Sequence, residues 1–66
     1  MKTTRYEITV RGHLSPAVID AFDGLSAAPS GANTVIAGDI VDQAGLYGVL
    51  DRIESLGLEL LDLRRP

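Results

Sequence analysis

The residues best suited to catalysis or ligand binding lie close together after the first apolar segment, where Ser15 follows His13 by two positions. A histidine can serve as a general base, a metal ligand or a pH switch, and a serine beside a base can serve as a nucleophile. No cluster of histidine and carboxylate residues surrounds His13 at the spacing that metal ligands need. The sequence around Ser15 has no nucleophile elbow. We therefore interpret His13 as a loop histidine and predict no catalytic residue and no metal site.

Carboxylates are a second source of acid–base chemistry, but they fall mostly on the outer faces or caps of the predicted helices. These residues are Asp20, Asp23, Asp42, Asp51 and Glu54. Paired-acid catalysis needs a cleft that excludes water and raises the pKa of one carboxyl group, and a chain of 66 residues has little cleft of its own. We interpret them as a solvated surface and predict that the protein is not an enzyme.

Composition narrows the classes of function further. The length fits one domain, residues 1–66, and the net charge of −3 argues against a nucleic-acid binder, which needs positive charge to neutralise phosphates. The absence of cysteine excludes disulfides and thiolate metal sites. No apolar run is long enough to span a membrane, and Lys2 and Arg5 are not followed by the apolar run of a secretory signal. We expect a cytoplasmic protein that needs no cofactor and binds neither nucleic acid nor membranes.

Three segments have the pattern of β-strands in the first two thirds of the chain. Residues 4–11 alternate strictly, which predicts a half-buried strand. Its inward residues are Tyr6, Ile8 and Val10. Residues 34–40 predict a strand that forms a hairpin with a weaker strand at 25–29. Pro29 cannot donate a backbone hydrogen bond, so the weaker strand belongs at an edge of the sheet.

Two segments carry the start and stop signals of helices. Ser15 as N-cap, with proline in the first turn, predicts a helix over about 16–23 that ends at Gly24. Asp42 caps a longer helix, which Gly57 ends in a Schellman motif. The buried face of this second helix is formed by Leu46, Val49, Leu50, Ile53 and Leu56.

The last segment, 58–64, predicts a fourth strand. Leucine is a good helix former, so a helix that continues to Leu63 is the competing interpretation, and Gly57 favours the strand. The order β-α-β-β-α-β predicts an α+β fold, a ferredoxin-like βαββαβ two-layer sandwich with an antiparallel four-stranded sheet. Right-handed crossovers favour the strand order 4-1-3-2.

Two sequence stretches carry a resemblance to known families. GHLSP at 12–16 and DQAGLYGVLDRIESLGLELLDLRR at 42–65 resemble a family of short, uncharacterised bacterial proteins, which implies no activity. The element order and the helix-Leu-Gly-strand ending are more distantly similar to ACT-type regulatory domains. That similarity implies dimerisation and, as an alternative function, a small-ligand sensor with its pocket near the loop after the first strand. The ligand-binding residues it implies are Gly12, His13, Asp42 and Gln43.

The third and fourth strands are apolar on both faces, whereas a two-layer sandwich leaves one sheet face in water. Strands of this kind are usually covered on both sides, and an uncovered face would be an apolar patch. A scaffold below about 70 residues is also barely stable without a disulfide, a metal or oligomerisation. We therefore predict a non-enzymatic oligomerisation or protein-interaction module, most simply a homodimer. The predicted interface residues are Val35, Ala37, Leu61 and Leu63.

Two further patterns leave alternatives open. Gly45 and Gly48 each cost the second helix about 1 kcal/mol relative to alanine, which indicates close approach of either the protein's own sheet or a partner. Five basic residues lie in or beside the first and last strands, namely Lys2, Arg5, Arg11, Arg64 and Arg65. They could steer an acidic partner, or they could keep the strand edges soluble.

Overall fold

In a computed structural model, which describes residues 2–66, the chain forms four strands and two helices in the order β-α-β-β-α-β. The elements are β1 (Thr4–Arg11), α1 (Pro16–Asp20), β2 (Ser26–Ser30), β3 (Asn33–Ile40), α2 (Gln43–Ser55) and β4 (Leu60–Arg64). The strands make one open antiparallel sheet in the order β2-β3-β1-β4. The predicted α+β class and four-stranded antiparallel sheet are confirmed, and β2 lies at an edge.

The core lies between the two helices and one face of the sheet. Ile8 of β1 stands opposite Ile36 of β3, and both are almost completely buried. The remaining core residues are Val10, Phe22, Ile40, Leu46 and Ile53, with Tyr6 half-buried against them. Full burial of each large apolar side chain contributes about 1.5–3 kcal/mol. The inward face predicted for β1 is therefore confirmed.

The first helix is shorter than the sequence predicts. It begins as expected, because the Ser15 hydroxyl oxygen accepts a hydrogen bond from the Val18 amide at 3.3 Å. It ends at Asp20 rather than near residue 23, because Ala21 and Phe22 donate to carbonyls three residues back and so tighten the chain into turns. These turns bring Phe22 into the core, and Gly24 follows with a φ of +81°.

The second helix begins and ends with the predicted capping motifs. A carboxylate oxygen of Asp42 accepts from the Gly45 amide at 2.7 Å. At the other end Gly57 has a φ of +74°, and Leu58 donates to the Ile53 carbonyl at 3.1 Å. Gly57 itself donates to Glu54 at 3.0 Å, which completes the Schellman pattern. Leu58 then packs against the core.

The fourth strand begins two residues later than predicted and contains a bulge. Asp62 stands opposite Thr9 and Leu60 opposite Val10, so Leu61 is an extra residue without a cross-strand partner. Leu63 stands opposite Ile8 and therefore shares its helix-facing side. The predicted interface residue Leu63 therefore lies on the helix-facing side of β4, because the bulge shifts the alternation by one residue.

The open face of the sheet is more polar than predicted. Val35 and Ala37 do lie there, opposite Thr9 and Glu7, and both are half-buried among their neighbours.

Across residues 2–66 the structure has no helix of the length and apolar character that a membrane span requires.

Candidate functional site

The loop after β1 is fastened to the start of β3. The Gly12 amide donates to the side-chain oxygen of Asn33 at 3.3 Å, and the Thr34 hydroxyl donates to the Gly12 carbonyl at 2.7 Å. His13 Nε2 lies 2.9 Å from the Gly31 carbonyl oxygen, which can only accept, so the ring donates through Nε2 in this contact. Both backbone polar groups of Gly12 are thus already occupied.

The four residues that the ACT-type similarity implies do not form one pocket. Arg11 pairs with Asn33 and Thr4 with Ile40, so the 12–13 loop lies at one end of the sheet and the 42–43 segment at the other. Eight-residue strands place those ends roughly 20 Å apart. The ligand site predicted from Gly12, His13, Asp42 and Gln43 together is therefore wrong, and the Asp42 carboxylate serves as a helix cap.

Two shallow cavities flank α1. One, of about 340 Å³, lies beside His13 and is otherwise lined by Leu14, Ile19, Ala27, Ala28, Pro29 and Thr34. The other, of about 280 Å³, lies between the turn after α1 and one side of α2, and Gly48 and Arg52 line it. Arg52 also donates to the Ala21 carbonyl, the C-cap of α1, and so ties the two helices together.

The two glycines of α2 have different surroundings. A Cβ atom at Gly45 would lie 3.1 Å from Ile40 Cγ2, so that glycine fits the protein's own sheet. At Gly48 an added Cβ would meet nothing within 4 Å. Of the two readings left open by the sequence, packing on the sheet therefore accounts for Gly45 but not for Gly48.

Acidic residues interleave with the basic residues of β1 and β4. On the open face Arg5 stands opposite Asp39, and Glu7 opposite Arg64. Two side-chain ion pairs follow the same pattern, Arg11 with Glu59 at 3.0 Å and Arg64 with Asp62 at 3.2 Å. Both pairs are solvent-exposed and contribute little to stability, about 0–1 kcal/mol each. The basic strands do not form a uniformly positive surface.

Apolar surface concentrates at β4. Leu60, Leu61 and Leu63, which we call the β4 leucine edge, are 44%, 40% and 39% exposed. The two β1 residues opposite Leu60 and Leu63 are buried to 0% and 1% exposure. The apolar layer of the core therefore continues sideways to an edge strand whose leucines stay about two fifths exposed within residues 2–66. Val41, Tyr47 and Leu56 are also exposed, the last of them against the prediction that it lies on the buried face of the second helix, but singly exposed apolar residues are ordinary.

A protein-family model described as "Domain of unknown function (DUF8691)" matches residues 5–64, which run from β1 to the last residue of β4. The chain belongs to this family. No curated protein and no solved structure matches it. Within residues 2–66 of this DUF8691 domain, no group of three or more histidine and carboxylate residues could hold a metal ion.

Sequence reasoning missed several residues that organise this DUF8691 domain. Two long-range hydrogen bonds have no local pattern that signals them. Arg52 donates to Ala21, 31 positions away, and Gly12 donates to Asn33, 21 positions away. Gly38 had a readable signal, because glycine inside a strand often marks a close approach. A Cβ atom there would lie 2.5 Å from Leu25 Cδ2, so Gly38 makes room for Leu25 over β3.

Proposed function

We propose that this DUF8691 domain is a non-enzymatic self-association module that forms a homodimer through the β4 leucine edge. The observation that carries the proposal is the exposure of all five residues of β4, three of them leucines, beside the most buried residues of β1. Edge strands present unpaired backbone groups, and proteins that remain monomeric usually shorten, cover or charge such edges. Of the interface residues expected from the sequence, Leu61 and Leu63 carry this proposal.

We also propose that the architecture is the ferredoxin-like βαββαβ sandwich. Two features support it. The strand order read from the β4 edge is 4-1-3-2, the order that right-handed crossovers favour. Phe22, which follows α1, and Leu46 and Ile53 of α2 all pack against the Ile8 side of the sheet, which is the expected two-layer arrangement.

An estimate of the free energy of association supports a dimer of modest affinity. About two fifths of each leucine of the β4 leucine edge is exposed, so covering one gains on the order of 1 kcal/mol. The leucines that a second copy covers, at most six in a dimer, together with new strand hydrogen bonds, offset part of the entropy lost on association. We expect a dissociation constant in the range of roughly 1–100 µM.

Sedimentation equilibrium over a concentration series tests self-association directly. Below roughly 1 µM we expect the mass of one chain, and above about 100 µM we expect twice that mass. A second probe, intrinsic Tyr fluorescence on dilution, should report the same midpoint, because Tyr6 is half-buried against the core on β1, the strand that neighbours β4. The mass of one chain at every concentration up to about 1 mM would refute the proposal.

A small-ligand sensor is the second candidate function, and the 340 Å³ cavity beside His13 is the observation that favours it. That volume lies at the lower end of the range for ligand sites. Because the Gly12 backbone is occupied, a ligand would meet the apolar lining and the His13 ring. A thermal-shift screen of amino acids and nucleotides tests it, since a ligand at 100 times its dissociation constant adds about 2.7 kcal/mol. A stabilising compound should lose its effect in His13→Ala; no shift across the panel would eliminate the sensor.

A further inference from the structure

We propose that two copies of the domain pair antiparallel through β4, with the two-fold axis at Leu63 and Asp62 of each copy opposite Arg64 of the other. This register rests on the self-association proposed above and adds to it the antiparallel strand pairing, the axis and the charge pairs. Its motivation is the arrangement of hydrogen-bonding groups, charges and leucines along β4. Each of these three features selects among the registers that symmetry allows.

Backbone hydrogen bonding leaves Leu63 free to pair outward. Arg11 donates its amide to the Glu59 carbonyl, so the alternation of an antiparallel ladder directs the backbone groups of Thr9 and Glu7 toward β4. The residues opposite them are Asp62 and Arg64, whose backbone groups therefore face β1. The amide and carbonyl of Leu63, which lies between those two, point to the unpaired side of the strand. Two copies of Leu63 can exchange both hydrogen bonds across a two-fold axis.

Symmetry limits the choice of register. Residues directly opposite in an antiparallel pair share a face, so the axis must pass through a residue and its own copy. An axis at Leu61 would place the bulge at the centre of the pairing. An axis at Asp62 would place two carboxylates directly opposite each other, which is destabilising. An axis at Leu63 avoids both.

Charge complementarity favours the axis at Leu63. Asp62 and Arg64 lie two residues apart on the open face, in contact at 3.2 Å through Arg64 Nε and Asp62 Oδ2. In the proposed register each Asp62 also faces Arg64 of the second copy, so four side chains form a ring in which opposite charges alternate. Each cross-strand pair of this kind contributes about 0.2–1 kcal/mol.

The helix-facing side of the same register joins the two cores. Leu63 stands opposite Ile8 within the chain, and across the axis it would stand opposite its own copy. The buried row of Ile36 and Ile8 would then run through two leucines into the same row of the second copy. A second copy of this chain therefore fits the edge on both of its faces.

A charge exchange tests the register. In Asp62→Arg, arginine would face Arg64 of the second copy twice, and we expect the dissociation constant to rise at least about tenfold. The double variant Asp62→Arg/Arg64→Asp restores both pairs across the axis but also places a carboxylate opposite Glu7 within the chain, so the reference protein and both variants carry Glu7→Gln. On that background we expect the dissociation constant of the double variant to return to within about threefold of the reference. An axis at Asp62 would instead place two arginines opposite each other in both variants, so failure of the double variant to recover overturns the register.

Site-specific cross-linking is an independent measurement, because the chain has no cysteine. With a short bifunctional thiol reagent, Leu63→Cys should cross-link to its own copy, whereas Asp62→Cys should cross-link several-fold less. Cross-linking at 62 in preference to 63 would contradict the axis at Leu63. Sedimentation of the wild type separates the two proposals: a dimer with the wrong cross-link overturns only the register, and a chain that stays monomeric overturns both.

Discussion

The two edges of the sheet are built from different residues. β2 consists of Ser, Ala and Pro and carries no large apolar side chain. Ser26 there donates its hydroxyl to the Ala37 carbonyl at 3.2 Å. β4 instead presents the β4 leucine edge, all of it exposed. The β2 edge therefore carries no large apolar side chain, whereas the β4 edge keeps three partly exposed leucines.

The same difference applies to hydrogen bonding. Ser30 and Asn33 close the two-residue hairpin turn, so alternation points the nitrogen of Pro29 away from β3, where it offers no donor. No proline occurs between residues 60 and 64 of β4. If β4 pairs with a second copy as proposed, the blunted β2 edge would stop the assembly at two copies instead of letting it extend into a fibre.

Of the variants considered, a charge introduced at the β4 leucine edge should weaken the dimer most, because it removes the apolar surface that distinguishes this edge from β2. Leu63→Glu would place a carboxylate opposite Ile8, and we expect the dissociation constant of the dimer to rise about 100-fold, since two leucines are lost from one interface. The matched control is Ala28→Glu, an exposed position of β2, which should leave the dissociation constant unchanged. Analytical ultracentrifugation measures both. Equal effects from the two variants would show that the edges do not differ.

Gly48→Ala tests whether α2, and not β4, forms the dimer interface. Because an added Cβ meets nothing within 4 Å, alanine should raise the free energy of unfolding by about 1 kcal/mol through helix propensity. Dimerisation should be unaffected. Chemical denaturation and sedimentation measure the two quantities.

The control for this variant is Gly45→Ala, where Ile40 Cγ2 lies only 3.1 Å from the added atom, so the helix-propensity gain should be reduced or reversed. If Gly48→Ala weakened the dimer, a second molecule would approach α2 at that glycine. The interface would then belong to the helix and not to β4.

Pro29→Ala has the smallest expected effect and tests the blunted edge. It returns an amide donor to β2, and the free energy of unfolding should fall by about 0.5 kcal/mol because the unfolded chain gains freedom. At high concentration we expect a minor population larger than a dimer, visible in sedimentation velocity and absent from the wild type. A variant that forms only dimers at every concentration would mean that proline is not what closes this edge.

Local signals in the sequence predicted much of the fold. The bounds of β1 match the alternation over 4–11, and the caps at Ser15, Asp42 and Gly57 form as the residue types indicated. These features depend on neighbours within a few positions. The early end of α1 was not predicted, because the turns that carry Phe22 into the core are selected by packing and not by propensity.

The candidate site was less predictable because it depends on pairing between distant segments. The direction of β3 relative to β1 separates Gly12 and His13 from Asp42 and Gln43, and a motif comparison carries no such distance. The face of Leu63 depends on the register between β4 and β1. No glycine or proline interrupts residues 58–64 to mark an irregularity, so strict alternation was the natural but wrong assumption.

The supernumerary position of Leu61 changes what kind of strand the C-terminal segment is. Without that residue the strand alternates regularly between inward leucines and outward charged residues, in the order Leu60, Asp62, Leu63 and Arg64. A segment whose sequence suggests apolar residues on both faces is thus an ordinary amphipathic strand with one inserted residue. Deleting Leu61 would leave the ladder in phase from end to end. A second inserted residue would also restore strict alternation, because two residues make one full period of a strand, but it would move the start of β4 two residues along β1.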